Sequence, residues 1–141
     1  MANWLVKTEP DTYGYDDLDR LGKDRWNGVR NWTALRHISN MAPGDLIFIY
    51  HTGKEKAIVG LGEVVSQPYP DPEAEDRRYL VFDLIPKRRF DRAVPLSQIK
   101  RMSEFNGWEL VRQPRLSVMP VSDEYRKLIN NLAEEFKFAR R

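Results

Sequence analysis

Apolar residues fall in short runs along the chain, and their spacing predicts strands and short helices in irregular alternation. Runs rich in β-branched and aromatic residues are typical of strands. The sequence has such runs at residues 3–7 (NWLVK), 45–51 (DLIFIYH), 57–65 (AIVGLGEVV), 77–86 (RRYLVFDLIP) and 115–121 (RLSVMPV). The polar segment TGKEK joins the second run to the third, which predicts a β-hairpin. The segment RWNG at residues 25–28 is expected to be extended.

Other segments have the periodicity and the end signals of helices. Residues 15–22 (YDDLDRLG) place acids in the first turn and a glycine at the end. In residues 31–41, the apolar positions Trp32, Leu35 and Ile38 recur every three residues. A short helix is predicted for VPLSQIKRM. The last helix is predicted to begin at Ser122, with one apolar face formed by Tyr125, Leu128, Ile129, Leu132 and Phe136.

The order of these elements indicates the fold class. Pro68, Pro70 and Pro72 predict an exposed loop between the hairpin and the next strand. Strands that alternate irregularly with short helices are typical of an α+β domain. We therefore predict a small curled sheet or barrel, surrounded by short helices, with a C-terminal helix docked on it.

Length and composition fit one domain. A chain of 141 residues with 41% hydrophobic residues can bury a core, so we predict a single domain over residues 1–141. No uncharged run exceeds eight positions, far short of the roughly 20 apolar residues that cross a bilayer. The N-terminus lacks the pattern of a secretion signal. We expect a cytoplasmic protein with no membrane partner, and a monomer.

The charge is mild but unevenly distributed. The net charge of +2 is low for a protein that coats nucleic acid by charge alone. Acids concentrate at residues 16–19 and 71–76, and bases at 86–92, 99–101 and 137–141. Such runs are usually solvated faces, and a polarised surface is the alternative interpretation.

Residues for catalysis or metal binding are few. The chain has no cysteine, which excludes disulfides, iron–sulfur clusters and thiol catalysis, and its histidines are His37 and His51. No known hydrolase or phosphate-loop motif occurs. The GLG at residues 60–62 is better explained by a bulge or by the close approach of another backbone. The acids of residues 71–76 lack the glycine and the last glutamate of a calcium loop. We expect no catalytic residue, no metal and no cofactor.

The segment RWNGVRN, residues 25–31, concentrates groups that suit a nucleobase. Trp26 is either a core residue or a ring with one open face that stacks a base. The amides of Asn27 and Asn31 can donate and accept at the edge of a base, although Asn31 can equally be the N-cap of the following helix. Gly28 lets the backbone approach a ligand, and Arg30 can bind a phosphate.

Two further segments place polar groups at the ends of strands. Lys7, Thr8 and Glu9 leave the first strand as a cation, a hydroxyl and a carboxylate, and either salt bridges and a turn cap or a binding role explains them. Arg115 and Ser117 precede the last strand. Arg115 can be a structural ion-pair partner or a ligand contact.

The motifs WLVKTEPDTY, RWNGVRN, GDLIFIYHTGKEKAIVGLGEV, YPDPEAED and VRQPRLSVMPV, in this order, resemble the EVE domain family of the PUA-like superfamily. The resemblance covers residues 3–132. It implies a small mixed β-barrel of about five to six strands with helices around it. It also implies a pocket for a single nucleobase, often a modified one, in DNA or RNA.

The resemblance implies roles for particular residues. The KTE segment would form the polar floor of the pocket, and Trp26 would be a stacking wall with Asn27 and Gly28 beside it. Arg30 and Asn31 would position backbone or base. Tyr50 and His51 would close the pocket from the hairpin, and Arg115 and Ser117 would complete it.

This chain departs from the family pattern in several places. Thr8 stands where many members have serine, WNG replaces the more frequent WDG, and YHTG replaces YHSG. Each change keeps a polar side chain, so the departures bear on which base is preferred. The chain also lacks the insertions that some members carry after the acidic loop, which implies a smaller nucleic-acid footprint.

The function expected from these observations is that of a non-catalytic reader of one, modified, nucleobase. Two alternatives stay open. The first is an enzyme that acts on a nucleotide or modified base, with His51 or Glu9 as general base. The second is a protein-interaction module that docks a partner through its terminal helix or acidic loop and whose pocket is vestigial.

Overall fold

The computed structural model describes the backbone of residues 1–139 and the side chains of residues 1–134. Seven segments are strands: β1 (Asn3–Thr8), β2 (Asp24–Trp26), β3 (Leu46–His51), β4 (Ala57–Val64), β5 (Tyr69–Pro70), β6 (Leu80–Pro95) and β7 (Val118–Pro120). Five are α-helices: α1 (Tyr15–Leu21), α2 (Trp32–Ser39), α3 (Leu96–Arg101), α4 (Glu109–Arg112) and α5 (Asp123–Ala139). The side chain of Phe136 and the basic tail at 137–141, both used in the sequence interpretation, lie outside the described side chains.

The strands form one mixed sheet that curls into a half-barrel. Its order is β2-β6-β4-β3-β1-β7, and the short β5 pairs with β6 beside this path. The pair β1–β3 is parallel, and the other pairs are antiparallel. The predicted α+β class and small mixed barrel are confirmed. The parallel pair brings the ends of β1 and β3 to the same edge of the sheet, with Thr8 beside His51.

The two glycines of the GLG segment let β4 bend while a side chain packs on it. A Cβ on Gly60 would lie 2.6 Å from Cε2 of Tyr15 and 2.8 Å from the carbonyl oxygen of Arg88. A Cβ on Gly62 would lie 2.9 Å from the carbonyl oxygen of Ile85. The pairing of β4 also shifts register at these positions. The prediction of a bulge or a close backbone approach is therefore confirmed.

The helix-end signals in the sequence mark real helix ends. Gly22 ends α1 with φ +76°, the left-handed conformation that glycine adopts at little cost. Asn31 precedes α2, and its Oδ1 accepts a hydrogen bond from the backbone N–H of Ala34 at 3.0 Å. The N-cap interpretation of Asn31 is thus confirmed. The predicted hairpin is present as β3 and β4.

Three segments differ from the sequence-based expectation. The proline-rich loop contains β5, whose Tyr69 pairs with Val81, and Asp71 beyond it is buried rather than solvated. The strand β6 runs on through the basic segment 86–92. A 3₁₀ turn (Ser103–Phe105) and α4 were not predicted. They place Phe105 and Trp108 in a ring cluster with Tyr125 of α5, where burial outweighs weak local propensity.

The basic run in β6 is largely matched by acids, which favours the interpretation of ion-paired, solvated faces. Lys87 pairs with Glu63, Arg88 with Glu134, and Arg89 with Asp16. Exposed pairs of this kind contribute little to stability. They do remove three cations from any strongly basic surface on this face.

Candidate nucleic-acid interface

An open cavity of about 790 Å³ lies where the end of β1, the strand β2 and the segment after β2 meet. This volume falls within the roughly 300–1,000 Å³ of small-molecule sites. Among the residues predicted for the site, the cavity brings together Lys7, Thr8, Trp26, Asn27, Gly28, Arg30 and Ser117. It is also lined by residues that were not predicted, namely Thr12, Tyr13, Lys23, Asp24, Arg25, Val29, Tyr69 and Asp83.

Trp26 forms an apolar part of the cavity wall, yet only 7% of it is exposed. It ends β2 opposite Phe82 of β6, and its ring meets that of Tyr13 edge to face with centroids 6.0 Å apart. The core interpretation of Trp26 is therefore confirmed, and the ring also lines the cavity, whereas the stacking of a base on it stays a prediction. A bound base could contact it only over the small area that the cavity exposes.

The polar floor at the end of β1 is held by its own hydrogen bonds. Nζ of Lys7 donates to the carbonyl oxygen of Pro114 at 2.8 Å, and the hydroxyl of Thr8 donates to the carbonyl oxygen of Tyr13 at 2.6 Å. Burial lowers the pKa of Lys7. These bonds join β1 to the segments that carry Ser117 and Tyr13. The floor is thus preformed rather than assembled by a ligand.

The segment after β2, together with Ser117 just before β7, contributes polar groups that can bind a ligand. Gly28 has φ +83°, a left-handed conformation that favours glycine. The amide of Asn27 and the hydroxyl of Ser117 make no hydrogen bond to another described residue. Arg30 donates from Nη1 to the carbonyl oxygen of Val29 at 3.1 Å, and the rest of its guanidinium stays available. Donors and acceptors without partners at a cavity wall are what a polar ligand requires.

A hydrogen-bonded chain closes the side of the cavity formed by β2, β5 and β6. Nε of Arg25 donates to the hydroxyl of Tyr69 at 3.0 Å, and that hydroxyl donates to Oδ1 of Asp83 at 2.7 Å. Burial, and then the Asp83 carboxylate, raise the pKa of Tyr69. Arg25 stands opposite Asp83 in the β2–β6 pair, so the register of these two strands places both side chains where the Tyr69 hydroxyl can bridge them.

Tyr13 and Asp24 form a second polar group in the cavity. The Tyr13 hydroxyl is buried and makes no hydrogen bond of standard geometry, although it lies close to the Asp24 carboxylate. Burial, followed by the effect of that carboxylate, raises the pKa of Tyr13 far above its ordinary value. The Asp24 carboxylate is therefore the polar group that the Tyr13 hydroxyl faces.

His51 does not line this cavity, and it has a clear structural role. It is buried at the end of β3, and the backbone N–H of Tyr15 donates to its Nε2 at 3.0 Å. Its Nδ1 lies 2.8 Å from Oε1 of Glu55. In the neutral ring Nε2 must be the acceptor, so the proton resides on Nδ1 and is donated to Glu55. His51 therefore caps the first turn of α1.

Tyr50 and Glu9 also lie outside the cavity lining. Tyr50 is buried in β3, and Nζ of Lys7 lies 5.6 Å from its ring centre, so the Tyr50 ring packs beside the Lys7 side chain. Glu9 is exposed, and its carboxylate accepts hydrogen bonds from the backbone N–H of Asp11 and the hydroxyl of Thr52, both at 3.3 Å. Glu9 thus holds a turn together, which is one of the interpretations that the sequence left open.

Asn31 and Arg115 border a neighbouring, smaller cavity of about 380 Å³. Asn31 uses its side-chain oxygen as the cap of α2. Arg115 is exposed and forms no ion pair with another described residue. The two predicted residues therefore lie together, but beside the main cavity rather than in it.

The cavity residues that were predicted belong to the sequence motifs, whereas some of the others reach the cavity only through strand pairing. Asp24 directly precedes the motif RWNGVRN and Arg25 is its first residue, so the same motif could have pointed to both. Tyr13 follows the KTEPD segment and offered a similar local signal. Tyr69 and Asp83 carried none, because they reach the cavity only through the pairing of β5 and β2 with β6.

In the part of the chain that the structure describes, no group of three or more histidine, aspartate or glutamate side chains is placed to hold a metal ion. None of the helices described there is long and apolar enough to cross a membrane.

The model of the EVE domain matches residues 2–132. The chain belongs to the EVE domain family. Among solved EVE relatives, Rpa0253 from Rhodopseudomonas palustris is 33% identical, with 96% of this chain and 94% of that chain covered and a TM-score of 0.90. Thymocyte nuclear protein 1 of Danio rerio is 26% identical over 168 residues, which cover 95% of this chain and 73% of that protein.

One solved relative of this EVE domain contains nucleic acid. The human THYN1 protein, in complex with 5-methylcytosine containing DNA, is 25% identical, with 95% of this chain and 98% of that chain covered and a TM-score of 0.88. The family suggested by the five sequence motifs is thus confirmed, together with the fold that it implied.

Proposed function

We propose that this EVE domain is a non-catalytic reader that accommodates one, modified, nucleobase of DNA or RNA in the cavity beside Trp26. The observation that carries the proposal is the cavity itself, which combines an apolar wall with polar groups that lack protein partners. The THYN1 complex with 5-methylcytosine containing DNA supports the same class of ligand. DNA with a modified cytosine is accordingly the first ligand to test.

The apolar and polar parts of the wall suit different parts of a base. Trp26 and Val29 offer apolar surface to a ring face or a methyl group. The Asn27 amide and the hydroxyl of Ser117 can meet the hydrogen-bonding edge. Asp24 can accept from an exocyclic amino group, which is how carboxylates bind cytosine N4. We therefore propose a base that carries an exocyclic amino group.

The energetic requirement is moderate. Extrusion of a base from a duplex costs a few kcal/mol, and stacking on an aromatic side chain contributes about 1–3 kcal/mol. Because Trp26 exposes little surface, we place its share near the lower end of that range. Two or three hydrogen bonds at roughly 0.5–1.5 kcal/mol each would make up the difference. Binding should therefore be modest in affinity and sensitive to salt.

The proposed absence of catalysis rests on the roles of the candidate bases. His51 is buried, and its Nε2 is occupied by the backbone of Tyr15. Glu9 is exposed and bonded within its own turn. Neither borders the cavity, so neither is placed to take a proton from a ligand there. A monomeric, cytoplasmic protein, as the sequence suggests, is part of this proposal.

The test is fluorescence-polarisation binding of short DNA and RNA oligonucleotides, each with a cytosine, a 5-methylcytosine, a 5-hydroxymethylcytosine or an N6-methyladenine at one position. We expect one modified oligonucleotide to bind at least about tenfold more tightly than its unmodified match, a difference near 1.4 kcal/mol. Asn27→Ala should reduce that preference and Arg101→Gln, in α3 away from the cavity, should not. Equal binding of all oligonucleotides would reject the proposal, and loss of the modification during incubation would favour an enzyme.

A further inference from the structure

Four side chains, at the rim of the cavity and beyond it, contact one another in series on the surface. The guanidinium of Arg30 lies 4.3 Å from the ring centre of Tyr79, and the Tyr79 ring stacks on Trp32 with centroids 5.5 Å apart and an interplanar angle of 13°. The guanidinium of Arg78 lies over Trp32 as well, 4.7 Å from its ring centre. We call these four residues the Trp32 stack. The order is cation, ring, ring, cation.

The Trp32 stack is held in place by hydrogen bonds rather than by burial. Asp76 binds the Arg78 guanidinium through both carboxylate oxygens, at 3.1 Å from Nε and 2.7 Å from Nη2. This bonding lowers the pKa of Asp76 to about 2. Tyr79 is fixed by backbone hydrogen bonds from Asp71 to its carbonyl and from its N–H to Asp76. The acidic loop thus has a defined structure that presents a ring and a cation to α2.

Trp32 is an unusual residue to leave on a surface. Its exposed fraction is 49%, and the other large hydrophobic residues exposed in the described side chains, Met1 and Leu21, take part in no ring stack. Trp32 is the first residue of α2 and stays exposed, although Leu35, one turn further on, and Ile38 pack in the core. Because core packing does not require it, its position suggests a surface contact.

The chemistry of the Trp32 stack fits a nucleic-acid strand. Exposed aromatic rings next to arginines are how proteins bind single strands, since bases stack on the rings and phosphates pair with the cations. Asp76 is neutralised by Arg78, and Asp71 is buried, which leaves Glu73 and Glu75 as exposed acids of the loop. Their repulsion of phosphates favours a path over Trp32 and Arg78 rather than across the loop.

The stack begins at the rim of the base cavity. Arg30 belongs both to the cavity lining and to the Trp32 stack. A strand whose base enters the cavity and which leaves it over Arg30 passes directly onto the Trp32 stack. The next nucleotide along the strand therefore lies within reach of the rings.

We propose that the Trp32 stack binds the nucleotide adjacent to the one whose base enters the cavity. The neighbouring base takes the place of Arg78 on the outer face of Trp32, and Arg78 and Arg30 contact phosphates. Displacement of Arg78 is easy, because its side chain is largely exposed and its ion pair with Asp76 lies in solvent. This inference rests on the proposed function and adds a second contact to it.

The test is a double-mutant cycle between Trp32 and the neighbouring base. Oligonucleotides with the preferred modified base carry either a normal nucleotide or an abasic nucleotide on its 5′ or 3′ side, so the phosphates stay the same. For the wild type, we expect an abasic neighbour on one side to weaken binding about fivefold to tenfold. Trp32→Ala should weaken binding of the normal oligonucleotide by the same factor and be insensitive to the abasic change. Trp32→Phe should keep most of the affinity.

The controls separate this inference from the proposed function. Leu21→Ala, another exposed apolar residue, should bind as the wild type does, and Arg78→Gln should weaken binding of all oligonucleotides and reduce its salt dependence. If Trp32→Ala stays sensitive to the abasic neighbour while Asn27→Ala loses base preference, the stack inference is wrong and the reader proposal stands. If the wild type prefers no oligonucleotide, both fall. Thermal melting of each variant checks that it is folded.

Discussion

Replacement of His51 by alanine separates a structural role from a binding role. The change removes the acceptor of the Tyr15 N–H and leaves that buried donor without a partner. An unsatisfied buried donor costs about 1–3 kcal/mol, and loss of a helix cap about 0.5–2 kcal/mol. Since the two describe the same bond, we expect the free energy of unfolding to fall by about 2 kcal/mol. For a chain of this length, that lowers Tm by roughly 6–8 °C.

Guanidinium unfolding followed by tryptophan fluorescence measures the effect. The midpoint should fall while the slope m stays unchanged, because the surface exposed on unfolding is nearly the same. His51→Gln should recover part of the loss, since its amide oxygen can accept from Tyr15. Glu55→Ala should cost less than 1 kcal/mol, because Glu55 is 40% exposed on its side chain. An unchanged midpoint for His51→Ala, together with loss of base preference, would refute the capping role and return His51 to the binding site.

Three further predictions follow from the packing and the polar groups. Gly60→Ala should lower the free energy of unfolding by about 1–3 kcal/mol, because the added Cβ meets Tyr15 and the backbone of Arg88; unfolding at the wild-type denaturant concentration would contradict this. Tyr13→Phe should leave the free energy of unfolding within about 0.5 kcal/mol of the wild type, because the hydroxyl has no well-formed bond to lose; a loss above about 1 kcal/mol would show that the bond to Asp24 is well made. Burial lowers the pKa of His37 in the folded chain below its ordinary 6.5. At a pH between the folded and the ordinary pKa, the unfolded chain binds a proton that the folded chain does not, so the free energy of unfolding should fall as the pH drops below about 6.5. His37→Gln should flatten that part of the pH profile.

The elements that could be predicted are those whose signals are local. The caps of α1 and α2 and the hairpin of β3 and β4 each depend on a few adjacent residues. By contrast, β5 has two residues in a proline-rich segment, and α4 has four. Such short elements form because Tyr69 and Trp108 are held by distant partners, which no local pattern shows.

The residues of the candidate site likewise divide into those with a local sequence signal and those without one. The motif at residues 25–31 supplied several cavity residues because they are adjacent both in sequence and in space. Asp83 reaches the cavity only through strand register. His51 was expected to close the pocket because the family resemblance implied it, but its Nε2 accepts a hydrogen bond from the backbone N–H of Tyr15 in α1. Side-chain direction at the end of a strand is set by the register of the whole sheet.

The place of β1 in the sheet has a consequence for how the chain folds during synthesis. The strand β1 is flanked by β3 and by β7, which is the last strand of this sheet to be synthesised, and Trp4 pairs with Pro120. Until β7 emerges from the ribosome, the apolar strand NWLV presents an open edge that can pair with other chains. Contacts so distant in sequence also slow folding. We therefore expect the nascent chain to depend on chaperones until the segment that carries Ser117 is complete, and the cavity to form only in that final step.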